Sequence, residues 1–242
     1  TGGRGIGVEA AGSAGIFLGS NAAITGVYDD GVYLKATGEG GTVTVGGQLG
    51  GGATVIGARD GLDLRATNGS IRISKLKTVQ GGSGAGIRAY STGGDIDISD
   101  ITEVFSESNW AIYVDTSDSD DNIGYVGGGA NVSIQNVAIP KLVDTSGSTS
   151  TVLESADGIS VYSGTGSINI GAEEGNSNNA IGDIYTQRVG IYAGTNGGAV
   201  SIRTQGTIDT IRESIEVKQL GKGNVAITTN GAIISTNDDG LY

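Results

Sequence analysis

The chain has 242 residues, and 14 Lys and Arg against 26 Asp and Glu give a formal net charge of -12. An acidic chain repels phosphate groups, so we expect no nucleic-acid partner and no anionic membrane surface. The absence of Cys and His excludes disulfides, thiolate or imidazole zinc sites and Ser-His-Asp catalysis within the chain. We therefore expect no cofactor. No apolar run approaches the roughly 18 residues that a membrane helix needs.

One short phrase recurs along the chain: a small residue, a branched aliphatic residue, any residue and a second apolar residue. This alternation predicts a short β-strand with one face on a core and the other in water. From Gly31 onward, successive phrases are spaced by 30, 25, 25, 47, 32, 24 and 26 residues. The phrase occupies 5–8, 31–34, 61–64, 86–89, 111–114, 158–161, 190–193 and 214–217, and it starts again at 240.

We call each occurrence of this first phrase an anchor. A second phrase with the same alternation follows each anchor from Gly31 onward. It occupies 43–45, 71–73, 96–98, 132–134, 168–170, 200–202 and 225–227. A third apolar patch closes most units, as at Ile101/Val104, Ile181/Ile184 and Ile208/Ile211. Each unit therefore predicts three short strands, separated by turns rich in Gly, Asn, Asp and Thr.

A unit of about 25 residues cannot bury its own apolar face, so equivalent strands must stack from unit to unit. The repeat predicts an all-β fold: a right-handed parallel β-helix (solenoid) with three short strands per coil and about eight to nine coils. We expect residues 1–242 to form a single elongated segment, with surface excursions near 115–131 and 139–157, the second being an extra coil or a loop. An antiparallel sandwich or barrel also has short strands and frequent turns, but it gives no reason for the period. A leucine-rich repeat needs a helical pattern that no unit shows.

Acidic residues are the first candidates for chemistry. Carboxylates in a flexible loop favour calcium, but the run departs from the twelve-residue calcium-loop pattern and equally suits a solvated acidic loop. This weak calcium candidate consists of Asp115, Asp118, Asp120 and Asp121. Parallel β-helices also host polysaccharide lyases and hydrolases, which need convergent carboxylates. The pairs at 29–30, 120–121 and 238–239 are available, but two of them directly precede a Gly anchor, where a turn role explains them. We expect no enzymatic activity.

Tyrosine recurs on the outward side of the first strand. Tyr33, Tyr113 and Tyr192 share one position, and Tyr90 and Tyr162 sit at the edge of that strand. Tyr combines flat apolar area with a polar tip and is enriched at contacts with partners, so these five residues are the candidate binding residues. The alternative is that Tyr simply suits a half-exposed pleated surface.

Opposite charges also fall side by side on neighbouring units. The predicted register places Asp63 beside Arg88 and Arg72 beside Asp97. Exposed pairs of this kind are worth at most about 1 kcal/mol and help to fix the register.

The phrases Gly86-Ile87-Arg88-Ala89 and Gly93-Gly94-Asp95-Ile96-Asp97-Ile98 resemble the repeats of autotransporter passenger domains of Gram-negative bacteria. They are also similar to those of filamentous haemagglutinin-type adhesins. The resemblance covers nearly the whole chain, but its motifs report fold and export route rather than a ligand. It implies secretion through an outer-membrane pore and display at the cell surface. We expect the chain to be part of a longer passenger, attached to the outer membrane only through a translocator barrel outside this sequence.

Two functions fit this interpretation, and a third is weaker. An adhesin would bind an identical passenger chain, or a protein or glycan receptor on a host, through the outer face of the rod. Repeated weak contacts along two rods add up through multivalency. A structural spacer would instead hold a functional tip away from the membrane. A polysaccharide-active enzyme would need a groove with convergent carboxylates and a Lys or Arg.

Overall fold

The computed structural model describes residues 3–48, 52–116, 129–144, 151–171 and 180–242. Within these ranges the chain is all-β and contains no helix. The strands are β1 (Ile6–Ala10), β2 (Ala14–Leu18), β3 (Ala23–Gly26), β4 (Val32–Ala36), β5 (Val43–Gly47), β6 (Thr54–Gly57), β7 (Leu62–Ala66), β8 (Ile71–Gly81), β9 (Ile87–Ser91), β10 (Ile96–Ser106), β11 (Trp110–Asp115), β12 (Val132–Val137), β13 (Leu142–Asp144), β14 (Thr151–Leu153), β15 (Asp157–Ser163), β16 (Ile168–Ile170), β17 (Ile184–Thr186), β18 (Ile191–Thr195), β19 (Val200–Thr204), β20 (Ile208–Thr210), β21 (Ile215–Gln219), β22 (Val225–Thr229) and β23 (Ile233–Ser235).

The first repeated phrase forms one parallel sheet. Its strand order is β1-β4-β7-β9-β11-β15-β18-β21. The predicted anchors pair residue for residue, from Ile6 with Val32 at one end to Ile191 with Ile215 at the other. The phrase that starts again at Gly240 also pairs as predicted, since Leu241 forms a parallel bridge with Ile215.

The second repeated phrase forms a second parallel sheet. Its main order is β2-β5-β8-β10-β12-β16-β19-β22, and β6 joins β3 to the later part of β8. The register again follows the repeat, because Ile96 pairs with Ile71 on one side and with Val132 on the other. Strands β17, β20 and β23 form a third parallel sheet.

These stacked parallel strands confirm the all-β class and the predicted registers, and they are consistent with a β-solenoid. An antiparallel sandwich is wrong, because in the described part of the chain only β13 and β14 pair antiparallel. The core consists of the inward aliphatic ladders, whose members are almost fully buried except near the two ends, where Val8 and Val225 are 38% and 47% exposed. Burial of each such side chain contributes roughly 1.5–3 kcal/mol. Ile211 is an exception: it was expected inside but is 41% exposed, because it lies in the turn after β20.

The chain bends between the second phrase and the third strand at a column of residues with left-handed backbone. Lys75, Asp100, Asn136 and Gly171 have φ of 62°, 56°, 50° and 89°. Asn136 Nδ2 donates to Asp100 Oδ1 at 2.8 Å, which links two neighbouring bends. Asn, Asp and Gly adopt this conformation readily, whereas Lys does so at a cost.

Lys75→Asn should therefore stabilise the chain by about 0.5–1 kcal/mol. Asn tolerates the left-handed conformation, and its side chain would stand beside Asp100 in the bend column. The same change at Lys77, an exposed strand residue without positive φ, is the matched control and should give no gain. Urea unfolding of both variants tests this, and equal shifts would show that the backbone conformation at Lys75 carries no strain.

In the described part of the excursion predicted near 139–157, β13 and β14 pair antiparallel as the two strands of a hairpin, which does not fit an extra coil of parallel strands. Ile139 forms a parallel bridge with Ile184, and Ser155 forms the next one with Thr186. Between them, β13 and β14 pair antiparallel. At the hairpin base, Lys141 Nζ lies 2.8 Å from Glu154 Oε1, and this hydrogen bond raises the pKa of Lys141. Of the other excursion, near 115–131, residues 117–128 lie outside the described residues.

Candidate binding surface

Two ladders of side chains point outward from the first sheet. The register aligns Tyr33, Asp63, Arg88, Tyr113, Ser160, Tyr192 and Glu216 in one ladder. Two residues further along the strands, it aligns Lys35, Arg65, Tyr90, Asp115, Tyr162, Gly194 and Lys218 in the other. All five candidate tyrosines therefore lie on this one outer face, as the repeat predicted.

The expectation that this face lies in water is wrong for much of the first ladder. Tyr33 and Tyr192 are only 6% and 7% exposed, and Asp63 and Ser160 are fully buried. Long side chains contact two of them: the Arg4 guanidinium lies 4.0 Å from the centroid of the Tyr33 ring, and Arg59 and Arg65 contact Asp63. The outer face of the second sheet does follow the expectation, since the outward residues of its central strands are exposed or half-buried.

Three tyrosines form a continuous cluster, which we call the tyrosine surface: Tyr113 on β11, Tyr162 on β15 and Tyr192 on β18. The centroids of the Tyr113 and Tyr162 rings are 5.8 Å apart, and those of Tyr162 and Tyr192 are 5.0 Å apart. These distances and the tilted rings fall within the favourable range for aromatic pairs. Tyr113 and Tyr162 are half-buried and so keep part of their surface in solvent.

Cations bracket the tyrosine surface. The Arg88 guanidinium lies 5.9 Å from the Tyr113 ring centroid, and Lys218 Nζ lies 5.5 Å from that of Tyr192. Both distances are within reach of a cation–π attraction. Each cation also has a carboxylate partner, Asp60 for Arg88 at 3.3 Å and Glu216 for Lys218 at 2.9 Å. The rim of the surface is therefore charged but locally balanced.

A buried hydroxyl lies in the middle of this surface. Ser160 stands in register between Tyr113 and Tyr192, and Tyr162 is two residues further on its own strand. Its Oγ is buried and has no hydrogen-bond partner among the described residues. An unpaired buried hydroxyl costs about 1–3 kcal/mol, so this position calls for an explanation.

Burial, and after it repulsion between the phenolate and the nearby Asp115 carboxylate, raise the pKa of Tyr113 to about 12. The Tyr113 hydroxyl points toward Asp115 Oδ2 at 3.5 Å. The neutral phenol is therefore the form that the fold favours.

Stability contributed by Tyr113 should be present below about pH 10 and lost as the pH rises through about 12. The sign follows because a folded-state pKa above the unfolded value favours the protonated native state. The melting temperature of Tyr113→Phe should therefore fall less than that of the wild type between about pH 10 and about pH 12. At about pH 8 the two melting temperatures should differ little. Thermal melts monitored by circular dichroism measure this, and parallel curves would rule out Tyr113 as a source of the alkaline loss.

Asp115, the one described member of the weak calcium candidate, lies at the end of β11. Its register partners are Tyr90 and Tyr162, so it belongs to the outer face of the first sheet. Asp118, Asp120 and Asp121 lie outside the described residues.

A second cluster, not predicted from the sequence, lies where the third strand of a coil leads into the first sheet. We call it the Asp–Arg network. Oxygens of the buried Asp30, Asp60 and Asp63 lie within 4.8 Å of one another, close enough to hold a metal ion. These carboxylates already pair with guanidinium groups: Arg59 lies 2.7 Å from Asp30, and Arg65 lies 2.9 Å from Asp63. The arrangement is therefore an ion network rather than a metal centre.

The network also corrects one of the two predicted charge pairs, whereas Arg72 and Asp97 pair as predicted, at 3.8 Å. Asp63 stands in register with Arg88 as expected, but Arg88 contacts Asp60 instead. Asp30 of the acidic pair at 29–30 joins two coils, since its Oδ1 accepts a hydrogen bond from the backbone N–H of Asp60. Asp60 in turn accepts one from the backbone N–H of Ala85 at 2.6 Å. Each carboxylate thus ties one coil to the next.

The comparisons with known proteins add no family. No protein-family description, curated protein or solved structure matches the chain significantly. Over the described residues, no helix is both long and apolar enough to cross a membrane. The assignment of a function therefore depends on the repeat and on the geometry of the outer faces.

Proposed function

We propose that the chain is part of a right-handed parallel β-helix of about eight to nine coils, each with three short strands, that forms one elongated unit over residues 1–242. The order of the strands supports this: β15, β16 and β17 belong to the first, second and third sheets, and β18 returns to the first. The same cycle repeats through β18, β19 and β20. At about 4.8 Å per coil, the rod would be roughly 40 Å long.

The rod acts in adhesion as a passenger region of a surface protein of a Gram-negative bacterium, secreted and held at the outer membrane by other parts of that protein. The resemblance of its repeats to autotransporter passengers supports the export route. The observation that carries the adhesive function is the tyrosine surface, where aromatic rings on successive coils share one outer face. Partners are an identical chain or a host receptor, and no catalytic step is assigned.

Beads coated with the purified chain test this function. Wild-type beads should cluster with one another or attach to host epithelial cells, and Tyr162→Asp should reduce this, since it places a charge at the centre of the aromatic cluster. Tyr28→Asp is the matched control, because Tyr28 is 85% exposed and lies outside the cluster. Sedimentation velocity over a range of concentrations separates self-association from attachment to a receptor. Equal attachment by all three proteins would refute adhesion through the tyrosine surface.

A structural spacer is the second candidate, and the Asp–Arg network favours it. Mutually paired charges on one outer face bind no partner, and they tie successive coils into a stiff unit. The spacer interpretation predicts a monomer at every concentration and no attachment of wild-type beads. The bead assay therefore decides between the two functions.

A further inference from the structure

We propose that the tyrosine surface binds a neutral, extended glycan whose sugar rings lie over successive coils along β11, β15 and β18. This inference rests on the proposed adhesive function and names the ligand of the same surface. It identifies the receptor by its chemistry: pyranose rings with an apolar face and hydroxyl edges, joined in a linear chain.

The spacing of the aromatic rings favours a repeating ligand. Stacked strands set the step between coils at about 4.8 Å, and the ring centroids are 5.8 and 5.0 Å apart. One pyranose of an extended, β-linked glycan advances by a similar distance. A chain that runs parallel to the stacking direction would therefore meet the solvent-facing parts of Tyr113 and Tyr162 with successive sugars.

The polar groups of the surface suit hydroxyls. Ser160 Oγ is buried without a partner at the strand position between Tyr113 and Tyr192, and a sugar hydroxyl that displaced its cover would supply the missing hydrogen bond. Apolar rings with a few placed polar groups are the usual composition of ligand sites. The unpaired hydroxyl is thus a second observation, independent of the aromatic cluster, that points to a ligand.

The charges of the surface favour a neutral ligand over a polyanion. Arg88 and Lys218 already have carboxylate partners, so neither offers an uncompensated positive charge. The chain as a whole carries a net charge of -12 and repels anionic polymers. A second copy of this chain would bring the same charge, and it is a competing occupant that the experiment must separate.

Isothermal titration with neutral cello-oligosaccharides and laminari-oligosaccharides, from disaccharide to hexasaccharide, tests the proposal. For one of the two series, affinity should rise with chain length and level off once the glycan covers the tyrosine surface. Tyr162→Ala should weaken binding roughly tenfold, as expected for loss of one stacked aromatic contact. Ser160→Ala should also weaken it, and Tyr28→Ala should leave it unchanged. Circular dichroism melts of each variant check that the fold is intact.

Several outcomes would overturn the proposal. They are no binding of either series, affinity independent of chain length, unchanged binding by folded Tyr162→Ala, or tighter binding of the polyanion heparin. If beads still attach or cluster through the tyrosine surface while no neutral sugar binds, adhesion stands and the glycan inference fails. If sugars bind but beads do not attach, the surface binds glycans and the adhesive function fails.

Discussion

Arg59→Met should destabilise the chain by about 1.5–3 kcal/mol at neutral pH, less than the loss from a fully buried pair, because the Arg59 side chain is 44% exposed. The Arg59 guanidinium is within 3.3 Å of carboxylate oxygens of Asp29, Asp30 and Asp60, and 3.6 Å from Asp63. Its removal takes away the one cation that contacts all of these carboxylates and leaves each buried Asp with a single arginine partner. Met keeps most of the side-chain volume, so the loss reports charge rather than packing. Urea unfolding measures the difference.

The cost of Arg59→Met should shrink as the pH is lowered from about 7 to about 5. Burial already raises the pKa of Asp60 above its ordinary value in the wild type, and loss of a neighbouring cation raises it further. A raised folded-state pKa means that the stability of the protonated form is present at low pH and lost as the pH rises. The variant should therefore recover stability on acidification relative to wild type.

Arg72→Met is the matched control for the network. Arg72 and Asp97 pair at 3.8 Å on the second sheet, with 70% and 54% of their side chains exposed. Loss of such a pair should cost less than about 1 kcal/mol and should show little dependence on pH. Equal costs for Arg59→Met and Arg72→Met would contradict a structural role for the Asp–Arg network.

The strand register could be predicted from the sequence because the repeat states it directly. A ladder such as Val43, Ile71 and Ile96 places the same residue type at the same point of each unit, and a slip by one residue would turn every apolar side chain outward. The observed pairs follow this ladder without a shift. The alternation within each strand and the stacking of the units therefore predict the same register.

Burial of the outer face could not be predicted in the same way. Alternation indicates which side of a strand a residue faces, but not what lies over it. Asp63 and Ser160 are fully buried although they face outward, and Asp63 is contacted by Arg59 and Arg65. This lateral packing depends on rotamers of residues in other coils, such as Arg4 over Tyr33. The Asp–Arg network was not predicted for the same reason. The Asp-Gly pair shared by 30–31 and 60–61 did indicate that the two coils turn at equivalent corners.

The hairpin of β13 and β14 could be predicted only in part from the sequence. The longest spacing of the repeat and the only proline marked an interruption near Pro140, but a Ser/Thr-rich stretch contains no signal that separates a hairpin from another coil. The answer depends on a pairing that the repeat does not encode: Ile139 and Ser155 occupy nearly adjacent places in one ladder. Only the three-dimensional register shows that the chain leaves and returns at the same strand.

Alanine at three glycines should give three clearly different losses of stability, and this series tests how tightly the coils close. At Gly57, where β6 turns toward the first sheet, an added Cβ would meet the carbonyl oxygen of Asp60 and the backbone of Gly31 well inside van der Waals contact. Backbone atoms held by the stacked strands cannot move aside. Gly57→Ala should therefore cost about 3 kcal/mol, the upper range for overpacking.

The two comparison sites separate space from backbone conformation. At Gly40 an added Cβ meets nothing within 4 Å, but φ is +74°, so Gly40→Ala should cost about 1 kcal/mol through strain alone. At Gly12 there is neither a close atom nor a positive φ, and Gly12→Ala should change stability by less than about 0.5 kcal/mol. Urea unfolding of the three variants gives the order directly. A Gly57→Ala protein as stable as Gly12→Ala would mean that the corner relaxes, and the close approach of Gly57 to the Asp60 carbonyl oxygen would then not constrain the fold.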